Sequence, residues 1–366
     1  ADVTLLNKSG QMVAHLHGLE RQTPGISPQV ADWLYELAWV RREPAASSVT
    51  EPALWIVLAD SRGFAEALAG HWRAQGNDVV LVRPGAKQQK VAPHEYTLPT
   101  GADFAPLLAA IQKEYPLPCR GILHGWSLDL PGTKELTAVS LVASQAQSSV
   151  AALRLVQAIA QTEWAERPRL WFISQGAQAV ADDSSLALAQ TPLWGLGRVV
   201  AEEHPEFWGG LIDLEAAAVP ATTAPILANL VQQPDGENQF AIRNQEQLVA
   251  RFKMLATAVR PSTSLTWKPD ASYLVTGGLG GVGYVTAQWL ARQGARHLVL
   301  LGRTPLPPRA EWSQVPPDAN VRQRIDRLIA LERLGVTVHY AAVDVADEAA
   351  LTAWLARYRQ ETWPPI

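Results

Sequence analysis

The chain has 366 residues, of which 48% are hydrophobic and 18% are charged, and its formal net charge at pH 7 is −4. This composition is typical of a globular protein of about two domains, and it excludes a disordered chain, a collagen-like repeat and a coiled coil. The slightly acidic balance and the scattered Lys and Arg residues offer no basic field for a phosphate polymer. We therefore expect no nucleic-acid partner.

Cysteine and histidine usage excludes two further classes. Cys119 is the single cysteine and cannot form an intrachain disulfide, and the eight histidines show no spacing typical of a metal site. The sequence has neither an apolar run of about 18 residues nor the basic and apolar stretches of a signal peptide. We expect a cytoplasmic protein with no membrane partner and no bound metal.

The first 20 residues have the pattern of a small antiparallel hairpin. Residues 3–6 and 11–16 are strand-like, and polar turn residues separate them. Residues 21–32 contain the Pro and Gly residues of a linker. The sequence therefore predicts a short N-terminal element, joined by this linker to a larger domain.

Residues 33–260 alternate between strand-like and helix-like segments. The predicted strands are 54–58, 79–82, 121–124, 170–173 and 211–214, and the predicted helices include 64–74 and 140–163. Such alternation predicts right-handed crossovers and a mostly parallel sheet covered on both faces. The domain closes with a broken strand-like stretch at 240–252, and the tryptophans, among them Trp55, Trp171, Trp194 and Trp208, are expected to fill its core.

A second α/β pattern begins after a linker at 261–271. The predicted strands are 272–276, 297–301 and 336–343, and the predicted helices are 282–293, 321–334 and 351–358. Three strands and three helices are half of what a doubly wound dinucleotide fold requires. The sequence therefore predicts an α/β protein with two tandem Rossmann-like subdomains, of which the second, residues 272–366, is incomplete in this chain.

A glycine-rich turn at the start of the second subdomain carries the strongest chemical signal. It connects a predicted strand to a predicted helix and consists of Thr276, Gly277, Gly278, Leu279, Gly280, Gly281, Val282 and Gly283. A dinucleotide's diphosphate must approach such a backbone closely, and the first amides of the helix then provide the anion site. The alternative is that the glycines only allow tight packing of strand and helix.

Two later positions indicate which dinucleotide would bind. Arg303 follows the next strand, where a guanidinium would pair with the 2′-phosphate of NADP and an acidic residue would favour NAD. The pattern therefore favours NADPH, although Arg303 could also be an ordinary solvated arginine. Asp344 and Val345 follow the third strand and could meet the adenine edge, but an Asp at this place is often a turn former or a helix cap.

The chain resembles the ketoreductase domains of modular type I polyketide synthases and of animal-type fatty acid synthases. Residues 276–283 and Leu300-Leu301-Gly302-Arg303 are similar to the cofactor half of the catalytic subdomain in that family. The segment 191–206, with its Trp-Gly-Leu-Gly-Arg core, and the stretch 208–214 are similar to the other half, the structural subdomain. The resemblance covers about residues 33–359 and implies two subdomains of the short-chain dehydrogenase/reductase type.

The resemblance also implies a reaction and partners. In that family, NADPH reduces a β-ketoacyl thioester that an acyl carrier protein delivers, and residues 1–20 look like the tail of the dehydratase domain that precedes the ketoreductase. The remainder of the ketoreductase would then lie downstream. The structural subdomain is a degenerate fold without a cofactor, and the turn at 59–64 agrees with this, since it has one glycine and a carboxylate, Asp60.

The family's catalytic Ser, Tyr and Lys have no match in this sequence. No Lys or Asn follows four residues after any of the seven tyrosines, Tyr35, Tyr96, Tyr115, Tyr273, Tyr284, Tyr340 and Tyr358. Ser174 holds the place of a catalytic serine but in the first subdomain, so we interpret it as a relic or a strand-end cap. We expect no catalytic residue in this chain and no turnover by it alone.

Three functional hypotheses remain open from the sequence. The first is part of an NADPH-dependent ketoreductase, supported by the glycine turn and Arg303. The second is a pseudo-ketoreductase that serves as a scaffold in a synthase module, supported by the missing catalytic segment. The third is an independent NADP sensor, for which the Trp-Gly-Leu-Gly-Arg half would have no purpose.

Overall fold

The computed structural model describes residues 3–6, 12–16, 35–43, 51–180, 186–232, 236–254, 267–317, 320–361 and 363–366. The predicted linker at 21–32 and most of the linker at 261–271 lie outside these ranges. The chain divides into two compact units, residues 1–258 and 259–366. We call them unit 1 and unit 2.

The N-terminal element is a two-stranded antiparallel ribbon. Strand β1 (Val3–Leu6) pairs with β2 (Met12–Leu16), and Val3 lies opposite Leu16 in the register. The predicted hairpin is therefore confirmed in its described part.

Unit 1 contains a ten-stranded sheet in the order β3-β12-β11-β10-β9-β8-β4-β5-β7-β6. Seven of these strands run parallel in the arrangement of a Rossmann fold, with β5 and β7 on one side of β4 and β8 to β11 on the other. Antiparallel strands close both edges. The strands are β3 (Tyr35–Arg42), β4 (Leu54–Leu58), β5 (Asp78–Pro84), β6 (Gln89–Ala92), β7 (Glu95–Leu98), β8 (Cys119–His124), β9 (Arg169–Gln175), β10 (Trp208–Leu214), β11 (Gln239–Arg243) and β12 (Glu246–Met254).

Helices cover both faces of this sheet, as predicted. One face buries apolar side chains of α2, α4 and α5, and the other buries those of α1 and α6. The helices are α1 (Phe64–Ala74), α2 (Ala105–Glu114), α3 (Ala138–Ser144), α4 (Ala151–Gln161), α5 (Thr191–Glu203) and α6 (Pro220–Gln232). Trp55, Trp171, Trp194 and Trp208 are all buried, which confirms that they belong to the core.

Several features of unit 1 differ from the sequence prediction, which gave no helix at the positions of α2, α5 and α6. The long helix predicted at 140–163 is two α-helices separated by a π-helical turn at Ala146–Val150. Thr137 begins the first of them through a capping box with Ser140, a signal that the hydrophobic pattern alone does not show. The β6–β7 hairpin is absent from the prediction because its exposed, polar first strand carries no apolar alternation.

Unit 2 has a three-stranded parallel sheet in the order β13-β14-β15. Its elements are β13 (Ser272–Thr276), α7 (Gly281–Gln293), β14 (His297–Gly302), α8 (Asn320–Glu332), β15 (Thr337–Ala342) and α9 (Glu348–Gln360). Helices α7 and α8 pack on one face and α9 on the other. The two units therefore form the predicted pair of Rossmann-like subdomains, of which the second has three strands.

Two negative findings bear on function. No helix in the described part of the chain combines the length and hydropathy that crossing a bilayer requires. Across the same residues, no group of three or more His, Cys, Asp or Glu side chains is placed to hold a metal ion.

Candidate nucleotide-binding turn

The glycine turn of unit 2 leaves strand β13 by a sharp change of direction. Gly277 has a φ of +63°, in the left-handed region where a side chain is strained. Its amide donates to the carbonyl of Leu301 at 2.8 Å, and its own carbonyl accepts from the amide of Gly280 at 2.7 Å. These bonds close a tight loop against the end of β14.

A close approach within the turn explains the last glycine of the motif. A Cβ on Gly283 would lie 2.3 Å from the carbonyl oxygen of Gly277, a distance at which the backbone would have to move. A glycine here therefore allows the first turn of α7 to pack directly on the loop. This packing role was the alternative raised from the sequence, and the structure shows that it accounts for Gly283.

Packing does not account for the amides of the turn. Within the described residues, the amides of Leu279, Gly281, Val282 and Gly283 have no hydrogen-bond acceptor. Three of them belong to the first turn of a 13-residue helix whose N-cap, Gly280, has no capping side chain. Such amides, together with the positive end of the helix dipole, form an anion site.

Arg303 lies just beyond the carboxyl end of β14, next to the glycine turn in the sheet order. Its side chain is exposed and makes no hydrogen bond or ion pair with any residue that the structure describes. The loop behind it is fixed, because Tyr340 on β15 donates its hydroxyl to the carbonyl of Thr304 at 2.5 Å. Arg303 is thus an exposed cation on an anchored loop.

Asp344 and Val345 lie at the carboxyl end of β15 and are both exposed. The Asp344 carboxylate accepts a hydrogen bond from the amide of Ala346 at 3.0 Å, and the Asp344 carbonyl accepts from the amide of Asp347. These bonds are those of the turn former that the sequence allowed as an alternative. A contact of either residue with adenine stays a prediction.

Arg327 is part of this site, and the sequence reasoning does not find it. It lies on α8, and its Nη1 donates to the carbonyl of Leu279 at 2.7 Å. No motif reveals it, because 48 residues separate the two partners in sequence. The only indication of this contact in the sequence is that the helix predicted after β14 contains an arginine.

The equivalent turn of unit 1 is built differently. Asp60 is the second residue after β4, as Gly278 is after β13. The Asp60 carboxylate accepts from the amides of Phe64 at 3.2 Å and Ala65 at 2.8 Å, so it caps helix α1 itself. The anion site of this turn is therefore occupied by the chain's own carboxylate, as the degenerate turn predicts.

Ser174 belongs to a buried hydrogen-bond network in unit 1. Its hydroxyl donates to Asp213 at 2.6 Å and accepts from the indole of Trp194 at 2.8 Å. Asp213 also pairs with Arg243 at 2.6 Å, and burial raises the pKa of Asp213 against the opposing effect of these donors. The network explains the serine and the tryptophan of the Trp-Gly-Leu-Gly-Arg segment as structural residues.

The other candidate catalytic side chains are either hydrogen-bonded within the protein or buried. The hydroxyls of Tyr273, Tyr284 and Tyr358 each share a hydrogen bond with a neighbouring group. Burial raises the pKa of the Cys119 thiol to about 12, so the reactive thiolate is not formed near neutral pH. His124 does not lie on the surface, where most histidines are expected, but is fully buried.

The fold and the turn together are those of the Rossmann class of proteins. A family model described as "KR domain" matches residues 271–366, and one described as "Polyketide synthase extender module SpnB, Rossmann fold domain" matches residues 37–252. The second match covers more than half of the chain. The chain therefore belongs to the ketoreductase regions of polyketide synthases.

The curated relatives are large synthases. One of them, a component of the phenolphthiocerol/phthiocerol polyketide synthase of Mycobacterium tuberculosis, is 40% identical over 212 residues, which cover 58% of this chain and 11% of that protein. The 5-methyl-1-naphthoate synthase of Streptomyces sahachiroi is 40% identical over 207 residues, covering 56% and 11%. The chain thus spans about a tenth of the length of these relatives.

Solved structures show the same architecture. A C2-type ketoreductase from a modular polyketide synthase superposes with a TM-score of 0.62 at 25% identity, covering 89% of this chain and 62% of that one. An A-type ketoreductase from a modular polyketide synthase gives a TM-score of 0.61 at 29% identity, covering 92% and 63%.

Proposed function

We propose that this chain supplies the NADPH-binding half of a polyketide synthase ketoreductase, together with the structural subdomain that accompanies it. The reaction would be the reduction of a β-ketoacyl thioester, delivered by an acyl carrier protein, to the β-hydroxyacyl thioester. NADPH, when bound, supplies the hydride. The observation that carries the proposal is the row of amides at the start of α7 that have no acceptor in the described part of the chain, one strand away from the exposed cation of Arg303.

The donor set fits this cofactor in two places. The amides of Leu279, Gly281, Val282 and Gly283 would hold the diphosphate, because they are hydrogen-bond donors at the positive end of a helix. Arg303 would hold the 2′-phosphate through a charge-assisted pair, which NADH cannot make. Thr276, Gly277, Gly278 and Gly280 would shape the turn, and Asp344 and Val345 would border the adenine.

We propose that the side chain that transfers the proton in this reaction lies outside the residues of this chain. A ketoreductase needs a tyrosine whose hydroxyl is free to face the substrate. In unit 2 the hydroxyls of Tyr273, Tyr284, Tyr340 and Tyr358 are bonded within their own unit, and burial raises the pKa of Tyr340. We propose that the rest of the ketoreductase provides the catalytic residues and that residues 1–20 are the tail of a preceding dehydratase.

The test is a fluorescence titration of the full chain with NADPH and with NADH. The variant Arg303→Ala should weaken NADPH binding about tenfold to a hundredfold, the range for losing one charge-assisted contact. NADH binding should change by less than about threefold, because NADH lacks the 2′-phosphate.

Arg292→Ala is a matched control for this experiment. Arg292 is an exposed arginine in the last turn of α7, at the opposite end of the helix from the glycine turn. Its loss should leave both affinities unchanged. Equal affinity of the unmodified chain for NADPH and NADH, retained in Arg303→Ala, would remove Arg303 from the site, and no binding of either nucleotide would contradict the proposed function.

A further inference from the structure

Arg327 makes two contacts that converge on the glycine turn. From helix α8, its Nη1 reaches the carbonyl of Leu279 at 2.7 Å, and its guanidinium carbon lies 5.2 Å from the centroid of the Tyr284 ring. The Tyr284 hydroxyl in turn accepts from the side-chain amide of Gln288 at 2.9 Å. A guanidinium that donates a hydrogen bond and also lies over an aromatic ring at cation–π distance is restricted in its orientation.

The hydrogen bond from Arg327 to Leu279 is one of two bonds that fix the peptide plane between Leu279 and Gly280. The peptide between Leu279 and Gly280 donates its N–H to the carbonyl of Gly277 at 2.7 Å, and its carbonyl oxygen is the atom that Arg327 holds. Rotating this plane would break both bonds. Since glycine at position 280 restricts rotation less than other residues would, the plane depends on these bonds for its orientation.

The fixed plane lies between the amides that have no acceptor among the described residues. The Leu279 amide precedes it, and those of Gly281, Val282 and Gly283 follow it. The orientation of the 279–280 peptide therefore sets the direction in which the neighbouring N–H groups point. The guanidinium also compensates the negative end of that peptide dipole, because it lies directly against the carbonyl oxygen.

We propose that Arg327 is a positioning residue for the diphosphate of the dinucleotide, acting through the Leu279–Gly280 peptide. This inference rests on the proposed function and deepens it, since it assigns different roles to two arginines of the site. Arg303 discriminates between NADPH and NADH, whereas Arg327 orients the amides that both dinucleotides use. Loss of Arg327 therefore weakens both dinucleotides by the same factor.

The experiment measures the affinity of the full chain for NADPH, NADH and 2′-AMP in the variants Arg327→Met and Arg327→Lys. Arg327→Met keeps an apolar stem but removes the donors and the charge, and we expect both dinucleotides to bind about tenfold more weakly. Binding of 2′-AMP, which has no diphosphate, should stay within about twofold. Arg327→Lys should recover part of the loss, because an ammonium can still donate to the Leu279 carbonyl.

A matched control is Arg333→Met, which removes an exposed arginine just beyond the end of α8. It should leave all three affinities unchanged. Dinucleotide affinities in Arg327→Met equal to those of the unmodified chain would overturn the proposal. A loss of 2′-AMP binding as large as the loss of NADPH binding would also overturn it, since general damage to unit 2 would then be the cause.

Amide hydrogen exchange without any nucleotide gives a readout that does not depend on the proposed function. In Arg327→Met, the hydrogen-bonded amides of Gly277 and Gly280 should exchange faster than in the unmodified chain, while those of β14 should not change. If the unmodified chain binds no nucleotide, the proposed function fails, and with it the diphosphate role. Faster exchange would then still establish that Arg327 orders the turn, and unchanged exchange would overturn that as well.

Discussion

The two strand-to-helix turns of this chain differ in what satisfies the first amides of the helix. In unit 1, the carboxylate of Asp60 accepts from the amides of Phe64 and Ala65. In unit 2, Gly278 holds the equivalent position, and the corresponding amides of Val282 and Gly283 have no acceptor among the described residues. One carboxylate therefore separates a self-capped helix from an open anion site.

This difference shows how a binding fold becomes a structural one. An N-cap stabilises a helix by about 1 kcal/mol, and a turn without one leaves donors for an external anion. In unit 1, the capped turn contributes to the stability of the unit. In unit 2, the glycine turn keeps its donors available, at some loss of stability.

The carboxyl ends of the unit 1 strands show the same trend. Ser174 and Arg243, near the ends of β9 and β11, both bond to the carboxylate of Asp213, near the end of β10, beneath the surface. In unit 2, the residues that follow the carboxyl ends of β14 and β15, Arg303 and Asp344, are exposed. Polar groups at the carboxyl ends of these strands thus form a buried network in unit 1 and face solvent in unit 2.

The largest expected effect comes from breaking the buried pair of unit 1. In Asp213→Asn, an amide would face the guanidinium of Arg243 in place of a carboxylate, in a site where the Asp213 side chain is fully buried. We expect the free energy of unfolding of unit 1 to fall by about 3 to 5 kcal/mol, measured by urea denaturation. The exposed pair of Arg41 with Glu246 is the control, since Glu246→Gln should change stability by about 1 kcal/mol or less.

A second substitution introduces into unit 2 the carboxylate that caps the helix in unit 1. Gly278→Asp places a carboxylate where Asp60 caps its own helix, and we expect NADPH to bind about a hundredfold more weakly, or about 2.7 kcal/mol, because the carboxylate competes with the diphosphate. Gly278→Ala is the control, since its Cβ makes the same 2.7 Å contact with Leu300 without the charge. Equal affinities in the two variants would show that crowding, not the carboxylate, decides binding.

The smallest expected effect is a pH dependence of the stability of unit 1. His124 is fully buried, its Nε2 has no partner among the described residues, and burial lowers its pKa from 6.5 to about 4. Because the unfolded chain binds the proton more readily between these values, the stability of unit 1 is lost as the pH falls through that window. Urea unfolding should show a loss of about 2 kcal/mol from pH 7 to pH 5 that is absent in His124→Leu.

The sequence predicted the alternation of strands and helices well, because buried parallel strands such as β4 are unbroken apolar runs. It also located the glycine turn, since a strand followed by closely spaced glycines is a local pattern. It could not locate Arg327 or the network of Ser174, because these contacts join residues far apart in the chain. Asp60 was recognised as an obstacle to phosphate, but its role as a helix cap is visible only in the hydrogen bonds.

The turn of unit 2 should accept a dinucleotide, whereas Asp60 closes the turn of unit 1. Amide hydrogen exchange of the full chain, with and without saturating NADPH, tests this most directly. We expect protection by NADPH at residues 277–283 and no change at residues 59–65. Protection at 59–65, or none at 277–283, would contradict the account.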